Sequence, residues 1–221
     1  MKKSRNKVSK DSHSFASIHP LNKKQILYDT AINSSSIVFG LGPAGTGKTW
    51  FAAMRAAEAL RNKTIGKIVI TRPAVEVGES LGFLPGELNE KFEPYIRPIR
   101  DAFEDYFGAS HLEYLLKRGD IEARPLSLLR GSTIQNTWLL ADEMQNATKT
   151  QLMMLLSRIG ENAKFIVNGD PDQLDIPART SGLIDAVDRL RPINGVEVVT
   201  FVRDDIVRSG LCREVIEAYS S

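Results

Sequence analysis

Eight consecutive residues, Gly42-Pro43-Ala44-Gly45-Thr46-Gly47-Lys48-Thr49, satisfy the spacing G-x-x-x-x-G-K-[ST]. The chemistry open to such a string is phosphate binding. Glycines at 42, 45 and 47 allow backbone conformations closed to residues with a Cβ, so that successive N–H groups can converge on one anion. A helix opening at Gly47 adds the partial positive charge of its N-terminus. Lys48 supplies an ammonium for the outer phosphates of a nucleoside triphosphate, and the Thr49 hydroxyl is a hard oxygen donor for magnesium. Pro43, Ala44 and Thr46 complete a loop whose whole length is expected to cradle ATP. A second string, Thr137-Trp138-Leu139-Leu140-Ala141-Asp142-Glu143, is an apolar run ending in adjacent carboxylates. Alone it reads as a solvated strand end. Downstream of a phosphate loop it places Asp142 to hold the magnesium ion through its water shell and Glu143 to polarise an attacking water. A kinase that hands phosphate to a bound acceptor does not need a carboxylate aimed at water, so the pair favours hydrolysis.

These residues need elements to position them. Residues 22–32 carry Ile26, Leu27, Ala31 and Ile32 at helical spacing, and 36–40 form a short β-rich run that enters the glycine loop. An alanine-rich helix is expected over 47–60 and a compact strand over 67–71, closed by Arg72 and Pro73. Further strands are expected at 138–141, 165–168 and 196–201, with helices at 149–159 and 183–190. Strands alternating with helices imply an α/β fold whose mostly parallel sheet is covered by helices on both faces. Residues 87–117 interrupt this rhythm with two amphipathic segments broken by Pro94, Pro98 and Gly108, read as a helical insertion whose Phe92, Tyr95, Phe103 and Tyr106 serve packing.

The 221 residues suit one sizeable domain, taken as 19–221, behind a basic flexible tail at 1–18. The first ten residues carry five positive charges and no acid, so a net charge of +2 leaves the remainder at −3, and bulk charge gives no case for nucleic-acid binding. No apolar stretch approaches a membrane span or a signal peptide, which points to the cytoplasm. The single cysteine, Cys212, excludes an internal disulfide and has no zinc-ligand spacing around it.

The phosphate loop, the string TRPAVEVGESLGFLPG over 71–86, LLADEMQNAT over 139–148 and NGDPDQLDIP over 168–177 together resemble the PhoH family, over nearly all of the chain from Pro20 onward. The resemblance implies a RecA-like P-loop ATPase related to the core of superfamily 1 helicases. It further implies that Gln25 recognises adenine, the alternative being an exposed helix glutamine, and that Gln173 senses the γ-phosphate. Asp170 either orients the site or caps its loop. Arg203 and Arg208 resemble the family's C-terminal arginine motif, one of them a candidate arginine finger, the alternative being pairing with Asp204, Asp205 or Glu214. Ser209-Gly210 stands where a histidine is expected, which puts the finger's geometry in question. A finger supplied in a chain with room for only one such domain implies a homo-oligomer with nucleotide sites between subunits, a hexameric ring being favoured. Arg72 resembles a position that touches nucleic-acid backbone, the alternative being a pairing with Glu76 or Glu79. The function expected is ATP hydrolysis coupled to remodelling of RNA or single-stranded nucleic acid. The alternatives are a nucleotide-dependent oligomer that binds a protein partner, a small-molecule kinase, and a regulator that binds nucleotide without catalysis.

Overall fold

The computed structural model describes residues 17–73 and 88–207, with only the backbone described over 88–95. The tail, the string over 71–86, the side chains of Phe92 and Tyr95, Cys212, Arg208, Ser209-Gly210 and Glu214 lie wholly or in part outside the described residues.

Six parallel strands form one sheet in the order β3-β2-β4-β5-β1-β6. They are β1 (Ile37–Leu41), β2 (Lys67–Thr71), β3 (Ile121–Ala123), β4 (Thr137–Ala141), β5 (Lys164–Gly169) and β6 (Val196–Thr200). The apolar runs are nearly continuous because both faces are covered. Val38, Ile68, Ile70, Leu140 and Ile166 meet α1 (Lys23–Ser34), α2 (Lys48–Arg61), α3 (Leu88–Phe107) and α4 (Ala109–Arg118) on one side. Phe39, Val69, Leu139, Phe165 and Val167 meet α5 (Lys149–Leu156) and α6 (Leu183–Leu190) on the other. Six buried alanine and aromatic or methionine positions of α2, from Phe51 to Ala57, let that helix sit close to both the sheet and α3. Among the described residues, no helix is long and apolar enough to cross a membrane.

Three expectations need correction. The first helix forms where its spacing predicts, but Ile26 and Leu27 are 52% and 55% exposed while Gln25 and Tyr28 are buried. The helix is turned because both polar groups find partners inside, Gln25 on the phosphate loop and Tyr28 on Asn168. Pro94 and Pro98 do not break the insertion: α3 runs through both, and the break falls at Gly108, which has φ +77°. Each proline removes one ladder bond, and burial of Ile96, Ile99, Ala102, Phe103 and Tyr106 outweighs that loss. Finally, β3 has no counterpart among the expected strands, since three residues at a sheet edge leave too little pattern to read.

Because every strand is parallel, the segments that follow β1, β2, β4 and β5 emerge along one edge. Ligands of open α/β sheets bind there, outside the carboxyl ends of the strands.

Candidate nucleotide site

The loop after β1 needs its glycines. Gly42 has φ +118°, and a Cβ there would lie 2.3 Å from the Phe201 carbonyl oxygen. Gly47 has φ +88°, and a Cβ would lie 2.8 Å from Gln25 Nε2. Gln25, 1% exposed, accepts from Leu21 N at 2.7 Å and donates to Thr46 O at 3.0 Å. The exposed-glutamine alternative is therefore excluded; the amide holds the loop's outer wall and also borders a 420 Å³ hollow beside Gly45, Trp50 and Val207. Lys48 donates to Gly42 O at 2.6 Å, Pro43 O at 2.7 Å and Thr46 Oγ1 at 3.2 Å, so its ammonium closes the loop around itself. Burial lowers its pKa, opposed by the charges of Asp170, Asp142 and Glu143.

β4 delivers the acids. Thr49 Oγ1 lies 3.1 and 3.3 Å from the two oxygens of Asp142. Burial, with Glu143 adding to it, raises the Asp142 pKa to about 6, against the opposing Arg72, Thr49 and Lys48. A carboxylate so disfavoured as a bare charge, beside a hydroxyl, suits a hard cation. Among the described residues no three His, Cys, Asp or Glu side chains are grouped so as to hold a metal ion between them. Magnesium held at nucleotide sites characteristically takes one or two protein ligands and completes its shell with phosphate and water. Glu143 has φ 54° and ψ 35°, left-handed backbone that costs a non-glycine residue about 1 kcal/mol or more. That turn carries its carboxylate to Arg72, with Nη2–Oε1 at 2.8 Å, and to Gln145 Nε2, which donates to Oε2 at 2.6 Å.

β5 brings in the third segment. Asp170 accepts from Asp172 N at 3.1 Å and from Gln173 Nε2 at 2.6 Å, so it caps its loop. It also faces the site: Lys48, Thr49, Asp142, Glu143, Asp170 and Gln173 all line one 310 Å³ cavity. A larger, apolar cavity of 600 Å³ between α5 and α6 contains none of the expected site residues.

The family model described as PhoH-like protein matches residues 17–220. The chain belongs to the PhoH-like family. It is 48% identical over 193 residues to the PhoH-like protein of Bacillus subtilis strain 168, covering 87% of this chain and 60% of that protein. It is 43% identical over 216 residues to protein PhoH of Escherichia coli strain K12, covering 96% of this chain and 61% of that one. The chain thus spans about three-fifths of the length of these relatives. Among solved structures, the large terminase of a thermophilic bacteriophage superposes with a TM-score of 0.57 at 14% identity, over 91% of this chain and 50% of that one, a likeness of fold alone. Family, fold and cradle together make this PhoH-like chain a P-loop NTPase.

Of the residues expected at the site, the structure gathers Gly42, Ala44, Gly45, Gly47, Lys48, Thr49, Asp142, Glu143 and Gln173 around the cavity, with Pro43 and Thr46 just behind as acceptors for Lys48. Arg203 does not join them. It is exposed in a 3-10 turn, Arg203–Asp205, outside the cavity wall. Arg72 pairs with Glu143; Glu76 and Glu79 lie outside the described residues. Two working side chains had no role assigned from sequence. Gln145 also donates to Gln173 O at 3.0 Å and accepts from Asp170 N at 3.1 Å, while Asn146 donates to Asp175 Oδ2 at 2.7 Å and accepts from Asp175 N at 2.8 Å. Two adjacent amides, one residue beyond Asp-Glu, were the available signal, because such a pair can satisfy a neighbouring loop's backbone.

Proposed function

We propose that this chain is a magnesium-dependent ATPase of PhoH type, working in the cytoplasm, whose turnover remodels RNA or single-stranded nucleic acid. The observation that carries the hydrolytic reading is the meeting of Lys48, Thr49, Asp142 and Glu143 on one cavity wall. Bound magnesium would supply charge neutralisation at the phosphates, held by Thr49 and Asp142. Lys48 would exchange its loop carbonyls for phosphate oxygens, and Gln173, poised at the same wall, would report the γ-phosphate. Glu143 would take its place against water.

The reading extends to assembly. Exposed Arg203, absent from its own chain's cavity wall, fits a finger delivered to a neighbouring subunit, with Arg208 the other candidate. A head-to-tail contact of that kind closes into a ring, here proposed as a hexamer. Remodelling is supported by the family relationship and by Arg72 at the end of β2, whose guanidinium fork suits phosphate as well as the Glu143 carboxylate it now holds. The test is phosphate release with Mg-ATP, with and without single-stranded RNA or DNA, for the parent, Lys48→Ala and Glu143→Gln. Both substitutions should abolish release and RNA should raise the parent's rate; phosphate appearing only on an acceptor, or not at all, would overturn the proposal.

A further inference from the structure

We propose that the hollow beside Trp50 is the nucleobase subsite of this chain, and that it holds a base by stacking without reading its edge, so that guanine is taken as readily as adenine. The inference rests on the function proposed above and names the substrate class of that same site.

The phosphate cavity and the hollow share three walls, Gly45, Gly47 and Trp50. Glu143 and Gln173 border the cavity alone, so a nucleoside triphosphate with its γ-phosphate toward them leaves by the end that opens past Trp50. The hollow, at 420 Å³, falls within the range of small-ligand pockets, about 300 to 1,000 Å³. Trp50 follows Thr49 in α2 and is half-buried. Its indole stands edge to face with Phe51, ring centroids 5.2 Å apart at 78°, and Phe51 is itself 1% exposed. An indole fixed from behind, with a cavity in front, is a stacking platform for any base, because every base has a π-face.

The walls give no means of telling one purine from another. Where adenine carries its N6 donor, guanine carries its O6 acceptor, so discrimination needs a group that can only donate or only accept. Gln25 has one of each, and neither is offered to a ligand: the side chain is 1% exposed, its Oε1 accepts from Leu21 N at 2.7 Å and its Nε2 donates to Thr46 O at 3.0 Å. The other polar side chains among the described walls are Ser17 and His19, both exposed. A hydroxyl rotates and an imidazole changes tautomer, so each donates or accepts as the ligand requires and suits N6 and O6 alike. Leu21, Phe51 and Val207 contribute apolar surface only.

Binding with magnesium is measured by calorimetry for the parent, Trp50→Phe and Trp50→Ala, using the β,γ-imido analogues of ATP and GTP and, as a ligand without a base, tripolyphosphate. Tryptophan emission is followed in parallel. The chain has two tryptophans, and the second, Trp138, lies in β4 under the Lys164 ammonium, so quenching by a base reports Trp50. The parent should bind the two analogues within about threefold of each other, as stacking without edge contacts requires. Both should quench the emission, and tripolyphosphate should not. Trp50→Ala should weaken both analogues by about tenfold or more, the worth of a lost base–aromatic stack, and leave tripolyphosphate within about twofold. Trp50→Phe should keep most of the affinity and lose the quenching. A parent that prefers one analogue by more than about thirtyfold would show that an edge is read, and would overturn the proposal. Equal weakening of tripolyphosphate in Trp50→Ala would move the role of Trp50 to the loop and overturn it too, as would analogue affinities that Trp50→Ala leaves unchanged. If the parent binds neither the analogues nor tripolyphosphate, the phosphate site fails and the subsite with it. If it binds them as expected yet releases no phosphate from ATP or GTP, the hydrolytic reading fails while the base subsite stands.

Discussion

Replacing Gln25 by alanine separates holding the phosphate loop from reading the base. The side chain is 1% exposed and makes two bonds, from Leu21 N and to Thr46 O. Truncation leaves the buried Thr46 carbonyl without its donor, at about 1 to 3 kcal/mol, and weakens the half-buried Leu21 contact by about 1 kcal/mol. A total near 3 kcal/mol should lower Tm by about 6 to 12 °C in a chain of this size. Since the loosened element is the phosphate cradle, affinity for ATP and GTP should fall by the same factor. Gln25→Glu sharpens the test. At pH 8 its carboxylate faces the Thr46 carbonyl and the variant should be as unstable as Gln25→Ala or worse. Burial would hold the folded pKa above the unfolded value near 4.3, so stability should return as pH falls toward 5 and the protonated acid donates to Thr46 O. Thermal unfolding with paired nucleotide titrations reads both. A Tm within 2 °C of the parent, or an ATP-to-GTP preference that collapses while Tm holds, would refute the scaffolding role and favour direct adenine recognition.

Gly42→Ala should destabilise the fold by about 3 kcal/mol, combining left-handed strain with overlap on the Phe201 carbonyl, whereas Gly131→Ala, at φ +89° with nothing near its would-be Cβ, should cost only about 1 kcal/mol; urea midpoints compare them. Asp142, raised from its ordinary 3.8 to about 6, must lose a proton to hold magnesium, so apparent magnesium affinity should fall as pH drops below 6, approaching tenfold per unit. The stability of the metal-free chain should move the other way, rising as pH falls from 7 toward 4, because folded Asp142 then takes a proton that the unfolded chain does not. Arg55 forks onto Asp29 at 2.5 and 2.7 Å and reaches Glu58 at 2.6 Å, joining α1 to α2, and Arg55→Met should cost about 1 to 2 kcal/mol, partly restored by Asp29→Asn in a double-mutant cycle.

What was legible in the sequence is what short-range chemistry fixes. The loop at 42–49 announces itself because glycine, lysine and threonine each have one reason to stand at that spacing. The strand at Lys67–Thr71 and the helix at Leu183–Leu190 match their expected bounds, since their patterns end at unambiguous punctuation. Helix orientation was less legible. The apolar stripe of α1 points to Ile26 and Leu27, yet the buried positions include Gln25 and Tyr28, because a polar side chain with a distant partner is indistinguishable in sequence from a solvated one.

The deeper limit is strand order. Alternation of strands and helices implies a parallel sheet but does not say that β5 inserts between β1 and β4. That insertion decides the site's wiring. It lays the Asp170–Gln173 segment against the turn after Asp142, where Gln145 can bond both Glu143 and the neighbouring loop. Had β4 paired directly with β1, Gln145 would have had no second loop to satisfy, and its amide would have kept only the local bond to Glu143. The left-handed backbone at Glu143 fits the same logic: an unfavourable turn persists where surrounding bonds over-determine it, and here both carboxylate oxygens, the buried Gln145 amide and the β2 guanidinium do so. The proposed phosphate cradle is thus written into one contiguous string, whereas the contacts that orient the Glu143 carboxylate, the proposed base, are distributed among the segments after β2, β4 and β5 and exist only once the sheet has closed in this order.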